Sequence, residues 1–215
     1  MPVFPLIRHV SARVTPVLLR TPVSANQVTA LSLVFGLAGV ACMAVGDWHW
    51  SMGGAVLLIV DYILDNCDGE IARFKDQCSD FGRRFDSFVD WIVHAAFFAA
   101  LGYGVSQSTG QGFWLWLGMA AMVGATVNFA IGQYFDRRAA ENNETTDSPE
   151  ESADPSGLGE WVLFAFRELS RADFCFLVLI LAVFDLIWVL VPLGAIGAQA
   201  YWITQFFRAT RKFHV

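Results

Sequence analysis

The run Asp61-Tyr62-Ile63-Leu64-Asp65-Asn66-Cys67-Asp68-Gly69-Glu70-Ile71-Ala72-Arg73, with Gly82-Arg83-Arg84-Phe85-Asp86-Ser87-Phe88-Val89-Asp90 beginning nine residues later, decides how this chain is read. Each part joins an apolar stretch long enough to cross a bilayer. An acid at the centre of such a stretch costs about 3 kcal/mol on an insertion scale, so each one asks for a reason. Residues three or four apart share a helix face. Asp61, Asp65 and Asp68 therefore form one acidic stripe, and Asp86 and Asp90 a second, which His94 extends. Facing carboxylates repel unless cations lie between them. Mg²⁺, Mn²⁺ and Ca²⁺ take oxygen ligands, and no soft ligand set is offered here. The pattern predicts a one- or two-metal carboxylate site between two helices, near their cytoplasmic ends.

The rest of the chain supports a membrane setting. Of 215 residues, 55% are hydrophobic and only 16% charged, against about 25% charged in an ordinary soluble domain. Mean hydropathy is +0.48. This excludes a soluble enzyme, a disordered regulator, a fibrous protein and a disulfide scaffold. A net charge of −6 argues against nucleic-acid binding. A membrane helix needs about 20 mostly apolar residues. Such stretches run over residues 28–46, 52–72, 82–103, 113–135, 174–191 and 193–207. All fourteen Lys and Arg fall before the first, between the second and third or in the opening turn of the third, between the fourth and fifth, or after the sixth. Basic loops face the cytoplasm. The fold expected is all-α: a polytopic bundle of six transmembrane helices, in a cytoplasmic or inner membrane, with both termini and the acid site on the cytoplasmic side. Trp48, Trp50, Trp114, Trp116 and Trp188 fall near the outer ends, as in an interfacial aromatic belt.

The whole chain, 1–215, reads as one membrane domain. Residues 1–22 mix Phe4, Leu6, Ile7, Val10, Val14, Val17 and Leu18 with three Arg, as an amphipathic surface helix does. They lack the uninterrupted apolar core of a signal peptide. Residues 138–159 are acidic and rich in Ser, Pro and Asn, and read as a flexible cytoplasmic linker. Residues 160–170 follow as a second surface helix. The four cysteines form no CxxC pair, and Cys42 and Cys175 read as buried small hydrophobes.

Residues Asp65 to Asp90 match D-x2-D-G-x2-A-R-x8-G-x3-D-x3-D at every fixed position. This resembles the signature of the CDP-alcohol phosphotransferase family. The resemblance implies transfer of a phosphate-linked group from a CDP-alcohol, usually CDP-diacylglycerol, to a hydroxyl of a small polyol or polyol phosphate. CMP is released and the products are phospholipids. It also implies Mg²⁺ or Mn²⁺ as cofactor, a membrane-lipid environment and a homodimer. Carried onto this chain, Asp65, Asp68, Asp86 and Asp90 are metal ligands and Asp90 is also the general base. Gly69, Ala72, Arg73 and Gly82 line the CDP site. The stretch Ser24-Ala25-Asn26-Gln27-Val28-Thr29 resembles the family's P-N-x-x-T motif, with Ala25 in place of Pro. It adds Asn26 and Thr29 as contacts to CDP.

Other residues are read more plainly. Asp61 is expected buried and hydrogen-bonded between helices, or else to bind a polyol acceptor. His94 is expected as a satisfied interhelical histidine. Arg171, with Asp173 as partner, and Arg138 are candidates for binding a phosphate on the acceptor; the competing role for such residues is anchoring to anionic lipid. Asp185 has no visible role. Inositol phosphate, glycerol phosphate, serine and inositol are the acceptors to consider. The Asp68–Arg73 run resembles the inositol-phosphate branch, which includes members using CDP-inositol. A cation transporter is the competing function, and a structural protein with a regulatory metal site the third. Both leave Gly69, Ala72, Arg73 and Gly82 unexplained.

Overall fold

The computed structural model describes residues 5–142 and 173–212. These form seven α-helices: α1 (Leu6–Leu19), α2 (Ala25–Met43), α3 (Trp48–Phe74), α4 (Asp80–Thr109), α5 (Phe113–Asn142), α6 (Phe174–Val183) and α7 (Leu190–Lys212). A short 3-10 turn, Ile187–Val189, precedes α7. There is no strand among the described residues. Helix α2, the Asp80–Thr109 helix and Phe113–Tyr134 of α5 are long and apolar enough to cross a membrane. At ~1.5 Å per residue, α3 also has the length, but its acids and Arg73 set it apart from an ordinary span. Two shorter apolar helices, Phe174–Val183 and Ile187–Ala200, complete the apolar set.

Local chemistry fixes where the helices start and stop. Ser24 and Gln27 form a reciprocal capping box on α2. The Asp47 carboxylate accepts the N–H groups of His49 and Trp50 at the head of α3. The Ser79 hydroxyl accepts the N–H of Gly82 at the head of α4. Helix α3 ends with Asp76 in the left-handed region, φ 54°, and the Gln77 N–H bonded back to the Ala72 carbonyl. That is the geometry of a Schellman stop.

Helix α2 is the hub, since α3 and α4 both pack on it, while α1 and α6 pack on α3 and α5 lies against α4 and α7. Glycines let backbones approach where α2 meets α3, at Gly39 and Gly54, and where α4 meets α5, at Gly102 and Gly118. The core runs from Val40 and Met43 through Leu58, Val93 and Phe97 to Val178, Ile187 and Val191. Large apolar side chains such as Val34, Val56, Trp116 and Ile196 point outward.

Three expectations are corrected. The fifth apolar stretch does not run to residue 191. Helix α6 stops at Val183, and the chain turns at Phe184–Leu186 with Asp185 at φ 58°. Asp tolerates that left-handed conformation better than most residues. Pro192, expected at the loop, instead sits in the first turn of α7, where its missing N–H costs nothing. The linker expected from residue 138 starts no earlier than 143, because α5 continues to Asn142. The expected helix at 160–170 and Arg171 lie outside the described residues. Helix α1 forms, but the residues it buries are Ile7, Ser11 and Thr15, two of them hydroxylic.

Candidate active site

The acids come from the last third of α3 and the start of α4. Asp68 is six residues before the end of α3 and Asp86 six residues after the start of α4. Asp65, Asp68 and Asp86 each offer an oxygen, and these oxygens lie within 4.8 Å of one another. At that spacing Asp65, Asp68 and Asp86 would together hold one divalent ion. Asp65 Oδ1 is buried and has no hydrogen-bond partner. Among the described residues, side-chain ion pairs involve only Asp47 and Asp80, so no basic side chain neutralises the acid set. An all-oxygen donor set with an orphaned buried oxygen fits a hard divalent ion. Asp90 lies one turn further along α4, outside the three-residue set, and its side chain is exposed.

A cavity of about 620 Å³ opens beside the acids. All six residues expected at the CDP site line it: Asn26, Thr29, Gly69, Ala72, Arg73 and Gly82, together with Asp68 and Asp86. A Cβ on Gly82 would stand 3.1 Å from both Asn26 Oδ1 and Ser79 Oγ, so glycine permits the approach of Asn26. A Cβ on Gly69 would meet only Arg73 Nη1 at 3.6 Å, so its lack of a side chain leaves space in the cavity. Thr29 is buried and its hydroxyl donates to the Asp68 carboxylate. It therefore orients an acid of the set as well as lining the cavity.

The spacing of the signature gave no hint of the α3–α4 turn, residues 75–79, as a wall. Gln77, Cys78, Ser79, Asp80 and Arg83 also line the cavity. The turn is stapled to the approach of α2. Lys75 Nζ donates to the carbonyls of Thr21 and Val23 at 2.8 and 2.7 Å, and Gln77 Oε1 accepts the Ala25 N–H at 2.9 Å. Arg83 pairs with Asp80 at 2.8 Å.

His94 is the satisfied interhelical histidine expected. Its Nδ1–H donates to the Asp90 carbonyl at 2.8 Å, and its Nε2 accepts from the Tyr62 hydroxyl at 2.7 Å. The carbonyl can only accept, which fixes the tautomer. Asp61 is buried and stands against Gly36 of α2. Asp173 is fully buried, and its carboxylate accepts the N–H groups of Leu6 and Ile7 at 2.8 and 2.9 Å. It caps α1, a role the sequence did not signal. Arg138 is exposed, donates to the Tyr134 hydroxyl at 3.3 Å and does not line the cavity.

Comparison with known proteins agrees with this geometry. Bifunctional IPC transferase and DIPP synthase of Aquifex aeolicus is 32% identical over 131 residues, covering 60% of this chain and 28% of that protein. The protein of the same name from Rubrobacter xylanophilus is 35% identical over 98 residues, covering 45% of this chain and 22% of that protein. The chain thus spans roughly a quarter of the length of these relatives. The family model described as CDP-alcohol phosphatidyltransferase matches residues 22–147, which hold α2, α3, α4 and every acid of the set. The chain belongs to the CDP-alcohol phosphatidyltransferase family.

Proposed function

We propose that this chain transfers a substituted phosphate group from a CDP-alcohol to a hydroxyl of a small polar acceptor, with release of CMP. The observation that carries the reading is the meeting of Asn26, Arg73 and Gly82 with Asp68 and Asp86 in one cavity. Phosphoryl transfer is mainly positioning and charge stabilisation. A divalent ion, Mg²⁺ or Mn²⁺, held by Asp65, Asp68 and Asp86 supplies charge stabilisation for the diphosphate. The Arg73 guanidinium can hold phosphate oxygens bidentately. The side chain of Asn26 can pair with polar edges of the cytidine. In the reaction a new bond forms between the acceptor oxygen and the distal phosphorus. The bond from that phosphorus to the bridging oxygen breaks, and CMP leaves with that oxygen. The acceptor hydroxyl proton passes to the Asp90 carboxylate, whose exposed position suits a group meeting substrate.

The bundle sits in a membrane with six spans, both termini and the acid site on the cytoplasmic side, and acts as a homodimer in phospholipid synthesis. Helix α1 lies along the cytoplasmic surface. CDP-diacylglycerol is the first donor to test, with inositol phosphate or glycerol phosphate as acceptor. CDP-inositol is the second. The Asp68–Arg73 run resembles the inositol-phosphate branch, and relatives named IPC transferase and DIPP synthase favour it.

The test is CMP release by purified protein in detergent with Mg²⁺ or Mn²⁺, each donor in turn and a panel of acceptors, beside Asp90→Asn. Release that depends on both donor and acceptor and is lost in the variant supports the reading and names the substrates. No release from any pairing overturns it. Cation flux in liposomes without CMP release would favour a transporter instead.

A further inference from the structure

A second cavity, of about 480 Å³, lies at the end of the bundle opposite the acids. Helices α2 and α4 end there, α3 and α5 begin there, and the α6–α7 turn crosses it. Ser51 on its wall and Asp65 in the active site are separated along α3 by about 21 Å, at ~1.5 Å per residue.

Its walls carry three indoles from three elements: Trp48 of α3, Trp114 of α5 and Trp188 of the 3-10 turn. Trp114 and Trp188 meet edge to face, with centroids 5.8 Å apart and planes at 76°. They form two adjoining walls rather than a closed stack. Trp48 is fixed by its Nε1, which donates to the Ala182 carbonyl at 2.9 Å. Asp47 and Asp185 are the acids of the lining, which also carries the hydroxyls of Ser51, Ser108 and Thr109 and includes no Lys, Arg or His. The Asp185 carboxylate has no hydrogen-bond or ion-pair partner among the described residues. The Asp47 carboxyl is held below its ordinary range, chiefly by the His49 N–H, so it is charged at neutral pH.

We propose that this cavity binds an organic ammonium group, as in an ethanolamine or choline headgroup. Indole faces attract a cation within about 6 Å of the ring centroid, and the two carboxylates balance its charge. An interfacial belt accounts for tryptophans at this depth, but leaves the unpartnered Asp185 carboxylate without a role. A bare metal ion would find indole faces where it needs oxygens. The group can arrive on a phospholipid of the outer leaflet or on a soluble amino alcohol.

The experiment uses the full chain. Tryptophan fluorescence in detergent is titrated with choline chloride and ethanolamine, with sodium chloride as control. In parallel, protein from nanodiscs of mixed phosphatidylethanolamine and phosphatidylglycerol is examined for retained lipid by native mass spectrometry. A saturable response to an amine, or selective retention of phosphatidylethanolamine, is expected, and the responding arm names the source. The response should weaken at least tenfold in Asp185→Asn and Trp188→Ala and persist in Trp188→Phe. CMP release by these variants should stay at the wild-type level, since the two cavities share no residue. No amine response together with no headgroup selectivity in the wild type overturns the proposal, as does a response unchanged in both Asp185→Asn and Trp188→Ala. The wild-type arms decide even where a variant misfolds.

Discussion

Thr29 shows how a single hydroxyl can serve a charged site through another side chain. It is buried and donates to Asp68. Valine has nearly the same shape but no donor, so Thr29→Val frees a carboxylate that must otherwise be held in register. Outer hydrogen bonds of this kind contribute about 10–100-fold to metal affinity. The Mg²⁺ concentration for half-maximal CMP release is expected to rise by that factor, with kcat at saturating Mg²⁺ changed much less. A rise in KM for the CDP donor instead would make Thr29 a nucleotide contact. Asp90→Asn should behave differently. A general base contributes about 10²–10⁴-fold, so kcat should fall by that range while the Mg²⁺ dependence holds. Asp65→Asn removes a member of the carboxylate set, and there the Mg²⁺ dependence itself should collapse. The acids and the small residues around them were legible because helical spacing converts sequence intervals directly into faces. Gln77 was not legible, since its contact with the Ala25 N–H depends on a turn folding back across 52 residues.

At the scale of elements, the closest helix contacts depend on glycine. A Cβ on Gly104 would lie 2.2 Å from the Met43 carbonyl, and one on Gly46, itself at φ 73°, 2.2 Å from the Gly104 carbonyl. Gly104→Ala must push α4 away from the end of α2. Overpacking of this kind costs about 1–3 kcal/mol, to be read as a lower thermal unfolding midpoint in detergent. Gly53 has nothing within 4 Å of its would-be Cβ. Gly53→Ala is the control and should be neutral or slightly stabilising, since alanine is favoured over glycine inside a helix. Asp173→Ala tests a contact of another kind. It strands two buried N–H groups at the head of α1, at about 1–3 kcal/mol each, and should expose α1 to protease before the rest of the bundle unfolds. The apolar stretches from 28, 52 and 82 placed three helix starts two to four residues late, because Ser24, Asp47 and Ser79 cap these helices ahead of the apolar sequence. The α6–α7 turn was misplaced because Phe184 to Val191 reads as continuous apolar sequence, and Pro192 looked like the stronger breaker. Asp185, the one polar residue in that run, was the signal. Asp173 was unreadable for the opposite reason, as its partners lie 166 and 167 residues away.

The whole molecule places two cavities at opposite ends of one bundle, and their different charge makes its orientation testable. Basic residues follow α3 and flank the acid cavity, while no Lys or Arg lines the aromatic one. The positive-inside rule then predicts that the acid cavity lies on the cytoplasmic side. Cys78 is a natural reporter, being exposed and on the wall of that cavity, whereas Cys67 and Cys175 are buried and Cys42 is partly covered within α2. A membrane-impermeant maleimide should label the chain in inverted vesicles and spare it in intact spheroplasts. Cys78→Ser should abolish the labelling. CDP with Mg²⁺ should slow labelling of the wild type, because the proposed nucleotide site and the thiol share one cavity. In Asp65→Asn, where the ion is held poorly, that protection should weaken, although labelling without nucleotide stays the same. Labelling from the outer side would reverse the orientation. Labelling from the cytoplasmic side without protection by CDP would keep the topology and detach the nucleotide from this cavity.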